Sequence, residues 1–382
     1  MNAFRTGPCT LMKPRFALFP LLSGIFLLAF MPPALHAAKS RRYARAIQHG
    51  TRALEQWRSP ASGLYEPSTG WWNSANTITV LANESRALKT RRYELAIDNT
   101  FQNASTAEHT QNFLNDYNDD EGWWALAWVD AYDLTGKQKY LAMAETIFTD
   151  IAGQWETGTC GGGVWWSKKT RYKNAIANEL FLELAAALAN RAATVEEKQK
   201  YLDWAEREWA WFHASGMINA QNLVNDGLDS THPDACANNG RTTWSYNQGV
   251  ILGGLVELYK ADRDPALLPE AQAIAHAAIT HLVNANGILV DRSVSGGDAP
   301  QFKGIFLRNL MALDAAAPDP AYKSFAQANA ESILANDQDA ASDRDAPKGP
   351  LWGALWQGPF DKADAARQTS ALDALIAAYA MQ

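Results

Sequence analysis

Cysteine is scarce in this chain: three in 382 residues, at positions 9, 160 and 236, with no CxxC pair, so a structural zinc site is not expected. Seven histidines occur, none in an HExxH pattern, and His276 and His281 stand five apart on a helical stretch and so face different ways. No serine sits in GxSxG and no GxGxxG follows a strand, which sets aside a nucleophile elbow and a dinucleotide site. The acids of "NDGLDSTHPD" (Asp226, Asp229 and Asp234) lack the EF-hand spacing and its glycine, so neither metal nor cofactor is expected. Positive charge is also in deficit, with 34 Lys and Arg against 41 Asp and Glu and a net −7. That balance argues against nucleic acid or an anionic membrane surface as partner, since both are held by basic residues, and favours a neutral or cationic one.

Long apolar runs are missing too, with one exception. Arg5, Lys13 and Arg15 precede or open "FALFPLLSGIFLLAF" (16–30), and "PPALHAAKS" follows with prolines and small residues. This is the pattern of an export signal cut near Ala37 or Ala38. The run is shorter than the roughly 20 residues that span a bilayer, so no stable membrane anchor is expected after cleavage. The expected product is residues 39–382, secreted or periplasmic; losing three basic residues takes the net charge from −7 to about −10. Cys9 leaves with the signal. An even remainder in an exported chain predicts a Cys160–Cys236 disulfide, with two buried thiols as the alternative.

Runs of alternating β-branched residues are scarce, whereas apolar residues at helical spacing fill the chain. They predict helices over 42–57, 75–88, 93–113, 123–134, 139–155, 172–190, 195–215, 245–260, 267–282, 301–314, 321–336 and 364–379. The links after the even members are short and bland. Those after the odd members are long and rich in Gly, Trp, Asp and Asn, as in "ETGTCGGGVWWSKKTR". In an up-and-down array every second loop lies on one face, so the unusual chemistry collects there. Six hairpins closing on themselves predict an all-α (α/α)6 barrel. No fixed period marks an open solenoid, and no Pro/Ser-rich linker or charge block divides the chain. A single domain, taken as a monomer, is the expectation.

Within that frame "NDYNDDEGWWALAWVD" (115–130) sets Asp119 and Asp120 before Trp123 and Trp124. Acids at a helix start cap free N–H groups and suit the helix dipole. The same junction can aim two carboxyls at one glycosidic bond, at roughly 5 Å separation for a retaining double displacement. The readings are compatible. Fifteen tryptophans include pairs at Trp71–Trp72, Trp123–Trp124 and Trp165–Trp166, each in or beside a long loop. Flat indole faces match the C–H faces of pyranose rings, although core packing is the commoner duty of any one Trp. "CGGGVWW" (160–166) either lets a ligand approach the main chain or is a tight turn without ligand contact.

These motifs, "GWWNSAN" (70–76), "YNDDEGWWALAW" (117–128), "CGGGVWW", "YKNAIANELFLELAAALA" (172–189), "TTWSYNQGVILGGLVELY" (242–259) and "FKGIFLRNL" (302–310), together resemble glycoside hydrolase family 76, the endo-α-1,6-mannanases and their fungal cell-wall relatives. The resemblance implies an (α/α)6 fold and a retaining mechanism on α-mannan polysaccharide or oligosaccharide, with Asp119 as nucleophile and Asp120 as general acid/base. It implies sugar contacts from Trp72, Asn73, Asn76, Trp165, Trp166, Lys173, Asn174, Asp226, Tyr246 and Asn247. Hydrolysis is expected, since "LIAAYAMQ" ends an amphipathic helix without the spacer and apolar tail of a lipid-anchor signal. Glycan transfer, another helical-toroid carbohydrate enzyme and a non-catalytic glycan-binding protein are the alternatives.

Overall fold

The structure, a computed structural model, describes residues 33–66, 70–229, 231–341 and 349–382. The expected export signal lies outside the described residues up to position 32. Its expected cleavage point falls in the first turns of the first helix. Twelve α-helices occur among the described residues: α1 Pro33–Leu54, α2 Trp71–Ala87, α3 Glu94–Asn103, α4 Asn118–Thr135, α5 Gln138–Ala152, α6 Ala175–Arg191, α7 Val195–Ala214, α8 Ser245–Asp262, α9 Leu267–His281, α10 Phe302–Ala316, α11 Pro320–Asn336 and α12 Ala365–Ala380. None is long and apolar enough to cross a membrane.

The even helices form a ring. Each packs on the next, and α12 on α2 closes the circle, while α1, α5, α7, α9 and α11 pack on it from outside. Burial differs between the layers: α12 is buried at every residue from Ala365 to Ala378, whereas α3 buries only Ile97 and Thr100. A helix with a single apolar stripe can face water, but α12 encloses Arg367, Gln368, Thr369, Ser370 and Asp373 as well, and inside the ring their polar groups find partners such as Asp364, Trp352 N–H and Thr77. Small residues let the inner helices approach closely. A Cβ on Gly249 would lie 2.7 Å from the Phe306 backbone, and one on Gly304 would lie 2.6 Å from Ser370. This is an (α/α)6 barrel.

Each of the six long connections carries an isolated antiparallel bridge soon after the outer helix: Arg58 with Tyr65, Gln111 with Leu114, Trp155 with Val164, Ile218 with Val224, Val283 with Leu289, and Gln338 with Trp352. The fourth residue of the following inner helix then fastens the loop by accepting a backbone N–H. Ser74 takes Tyr65 N–H (3.0 Å), Glu121 takes Asn115 (2.7 Å), Asn178 takes Val164 (2.7 Å), Gln248 takes Val224 (2.7 Å) and Gln368 takes Trp352 (3.0 Å). In α10 the fourth residue is Ile305, and Asn329 of outer helix α11 accepts Leu289 N–H instead (2.9 Å). Buried loop amides need such acceptors, so this repeated side chain is what lets the loops fold onto the ring.

Several helix ends depart from expectation: the first helix begins at Pro33 rather than 42 and the second at Trp71 rather than 75. The third, expected to reach residue 113, ends at Asn103 and passes into the 3-10 turn Ala104–His109, after which Asn112 and Phe113 adopt left-handed φ of 54° and 60° and Phe113 packs among Trp71, Trp124 and Trp128. The fourth begins at Asn118, five residues earlier than expected, so the two acids lie in its first turn rather than before it.

Candidate active site

The six long loops gather over the N-terminal ends of the inner helices, where the helix dipoles present their positive ends. The second residue of several inner helices projects into the opening: Trp72 of α2, Asp119 of α4 and Tyr246 of α8 line one cleft of about 480 Å³. Asp120, one place further along α4, lines the same cleft. Two neighbouring helical positions thus deliver both carboxyls to one space in different directions.

Both acids are held. Asp119 Oδ2 accepts the indole N–H of Trp166 at 3.0 Å, and its Oδ1 accepts the Asp120 backbone N–H at 3.1 Å. Asp120 Oδ2 accepts Asn115 Nδ2 at 2.8 Å. Asn115 is fixed in turn by Glu121, through its N–H, and by Lys168, whose ammonium donates to Asn115 O at 2.7 Å and to Glu121 at 2.6 Å. Asn118 explains how Trp166 arrives: its Nδ2 donates to Trp165 O (2.7 Å) and its N–H to Trp166 O (3.0 Å), sewing the glycine-rich loop to the start of α4.

Burial pushes the Asp119 carboxyl up to about 7. The two N–H donors pull it down and the negative charge of Asp298 pushes it further up. Burial likewise lifts Glu121 to about 8 against the pull of Lys168. Crowded carboxyls in a partly dry cleft retain a proton near neutrality, so one can donate while the other attacks.

Of the residues expected to touch sugar, Trp72, Trp166, Asn174, Asp226 and Tyr246 line the cleft with the two acids. Five others do not. Lys173 is 2% exposed, and its ammonium donates to the carbonyls of Glu156, Thr159 and Gly162 while lying 4.7 Å from the Trp165 ring. It clamps the glycine-rich loop. Trp165 flanks that clamp beside Cys160, Asn73 bonds Gln301, Asn76 accepts from Arg308, and Asn247 is fully buried. The tryptophan pairs split in the same way. Trp71 and Trp124 enter the aromatic core, whereas Trp72, Trp123 and Trp166 line the cleft.

Two of the three glycines of "CGGGVWW" serve packing, while Gly161 turns the chain at φ +71° with open space beside it. A Cβ on Gly163 would come within 2.4 Å of the Trp211 ring, and one on Gly162 within 2.7 Å of both Trp155 and Trp211. Cys160 and Cys236 are disulfide-bonded, joining this loop to the α7–α8 loop. Trp123, of the second tryptophan pair, lines the cleft as well, and Tyr117, Tyr172, Asp298 and Phe302 do so without having been singled out from sequence. Tyr117, Tyr172 and Phe302 stand inside recognised motifs. Asp298 stands in "SVSGGDAP", outside all of them.

The family model for glycosyl hydrolase family 76 matches residues 41–382. Mannan endo-1,6-alpha-mannosidase DFG5 of Candida albicans is 25% identical over 343 residues, covering 82% of this chain and 73% of the relative. DCW1 of the same organism is 29% identical over 213 residues, and the match spans only 46% of its length. Among solved structures, the GH76A alpha-1,6-mannanase of Salegentibacter sp. HEL1_6 superposes with a TM-score of 0.78 at 20% identity, over 89% of this chain and all of that one. An inactive variant of the same mannanase, with two consecutive aspartates replaced by alanine and alpha-1,6-mannotetrose bound, gives 0.77. Dfg5 of Chaetomium thermophilum, in complex with glucosamine, also gives 0.77 at 19% identity, over 89% and 90% of the two chains. With the match running through all twelve helices, the chain belongs to glycosyl hydrolase family 76.

Proposed function

We propose that this protein is an exported, retaining, endo-acting glycoside hydrolase that cleaves α-1,6-mannosidic linkages in mannan. The observation that carries the reading is the placement of Asp119 and Asp120 together in the first turn of α4, open to a cleft walled by aromatic rings. The named mannosidases and mannanases of the family supply the substrate class, and the loss of activity when two consecutive aspartates are replaced in one of them supports the choice of acids. Residues 39–382 are read as one secreted or periplasmic domain acting as a monomer.

Asp119 accepts an N–H at each oxygen, contacts that favour its charged form against the burial that raises it, and it is read as the nucleophile, with Asp120 as the acid/base. Asp119 attacks the anomeric carbon as Asp120 protonates the departing glycosidic oxygen. The C–O bond to the leaving chain breaks while a mannosyl ester to Asp119 forms. Asp120, now a carboxylate, takes a proton from water, whose oxygen attacks the same carbon and releases Asp119. Two inversions restore the α configuration. Trp72, Trp123 and Trp166 offer ring faces to the sugars, and Asn174, Asp226 and Tyr246 offer polar groups to the hydroxyls.

The test is to incubate the purified protein with linear α-1,6-mannan and follow product anomers by NMR, beside Asp119→Asn and Asp120→Asn variants. Early α-anomer, lost in both variants, is expected. Early β-anomer would overturn the double displacement, and cleavage of another polymer in place of this one would overturn the substrate class.

A further inference from the structure

A third carboxyl stands beside the acid pair. Asp298 closes the α9–α10 loop, immediately before the 3-10 turn Ala299–Gln301, and its Oδ1 accepts the indole N–H of Trp72 at 3.0 Å. One step deeper, Asn73 Nδ2 donates to Gln301 Oε1 at 2.7 Å, and Gln301 Nε2 returns a bond to Asn73 O at 3.0 Å. Both of these amides are buried. The buried rung fixes the start of α2 against the start of α10, so the outer rung has its register set from below. Trp72 then lies over Trp123 with ring centroids 5.6 Å apart and 24° between planes, and Trp123 follows Asp119 by about one helical turn.

The position of this bridge is informative. The acid-pair cleft and a second groove of about 470 Å³ are both lined by Trp72, Tyr117, Asp120 and Asp298. A polymer passing from one groove to the other crosses the Trp72 ring, with Asp298 on its edge and Asp120 beside it.

We propose that Asp298 is a positioning residue of the reaction, which fixes the plane of Trp72 as a sugar platform between two grooves and whose charge helps keep a proton on the Asp119–Asp120 pair. The proposal rests on the reading of those two acids as the reacting groups. Like charges across a cleft disfavour double ionisation, and the Asp298 charge acts on Asp119 in that sense. Asp298 is itself exposed, so water and salt weaken the effect. The other titratable groups around the pair are Asp226, Tyr117, Tyr172 and Tyr246 in the cleft, Asp116 in the second groove, and Glu121 with Lys168 behind Asn115, with Arg308 beneath, 5.6 Å from the Trp123 ring. All remain in the variants below, so differences from the wild type isolate Asp298.

Asp298→Asn keeps an acceptor for Trp72 and removes the charge, whereas Trp72→Phe keeps a ring and removes the donor. With linear α-1,6-mannooligosaccharides, Asp298→Asn should move both limbs of the kcat/KM pH profile about 0.5 unit toward acid with KM within about twofold. Trp72→Phe should raise KM about threefold or more, the worth of one hydrogen bond, and leave the profile in place. Asp298→Ala should show both effects. A profile for Asp298→Asn that superimposes on the wild type, or a wild-type KM in Trp72→Phe, overturns the proposal. Should the wild type leave mannan uncut, it is the reading of the acid pair that fails. The loss of thermal stability between about pH 4 and 7 still reports the charge, since Asp298→Asn should shift that fall toward acid by the same half unit. Superimposable stability curves overturn the coupling.

Discussion

Trp166 and Asp119, 47 residues apart in the chain, meet where the indole N–H donates to a carboxyl oxygen at 3.0 Å, and this contact opposes the burial that lifts Asp119 to about 7. Trp166→Phe preserves a ring beside Tyr117, whose ring lies 5.1 Å away, and deletes the donor. The acid limb of the kcat/KM pH profile should move to higher pH and kcat should fall about tenfold, roughly one charge-assisted hydrogen bond. Steady-state kinetics from pH 4 to 9 checks both.

Asp119 also sets a cost on the folded state. Its folded value, about 7, lies above an unfolded value near 3.8, so the native chain binds the extra proton between them. The stabilisation is complete below about pH 4 and is lost as pH rises through 7. Asp119→Asn carries no charge at either end. At pH 8 it should therefore be more stable than the wild type by on the order of 1–3 kcal/mol, and the gap should close at pH 4. Melting temperatures of the two proteins at the two pH values decide it.

Lys173 is the residue whose role sequence and structure place differently. Its ammonium serves three loop carbonyls, so Lys173→Met should lower stability by about 2–4 kcal/mol through unpaired buried carbonyls. KM for mannan should stay within about twofold. Denaturant titration beside kinetics separates this from the sugar contact that the motif suggests, for which KM would rise with stability unchanged.

Gly163 has a φ of +86° and the Trp211 ring where a Cβ would sit, 2.4 Å away. Gly163→Ala should destabilise by about 2–4 kcal/mol from left-handed strain and overpacking. It should also loosen the loop that delivers Trp166, so kcat should drop along with the melting temperature. A variant with wild-type melting would mean that the loop repacks freely.

The barrel was legible in the sequence because alternation of bland and Gly/Trp/Asp-rich links reports which helix ends share a face. That Asp119 and Asp120 share one cleft was legible because adjacency beside paired tryptophans is unusual. What was not legible is the division of polar motif residues between substrate and scaffold. Asn73, Asn76, Lys173 and Asn247 look like hydroxyl-binding groups, yet the three asparagines sit among closely packed inner helices and Lys173 sits under the glycine-rich loop, whose buried carbonyls need partners. The fourth-position fasteners Ser74, Glu121, Asn178, Gln248 and Gln368 share a place and differ in chemistry, so no letter-by-letter repeat betrays them. Asp298 escaped for the converse reason: a plain loop acid gains its meaning only from Trp72, 226 residues away. The start of α4 was set too late because Gly122 and three acids read as loop, whereas Gly122 is where α4 approaches Leu180 of α6, 2.8 Å from where a Cβ would lie.

Five of the barrel's six sides are buttoned from within; the side between α9 and α10 is buttoned from the outer wall, by Asn329. Three central staves still reach that segment: α2 through Trp72 to Asp298, α8 through Ser245 to Asp291 and α12 through Arg367 to Val294. An engineer recasting the 283–298 segment with its α11 anchor would therefore have to carry Val294, Asp291 and Asp298 over unchanged, and could vary only what lies between them.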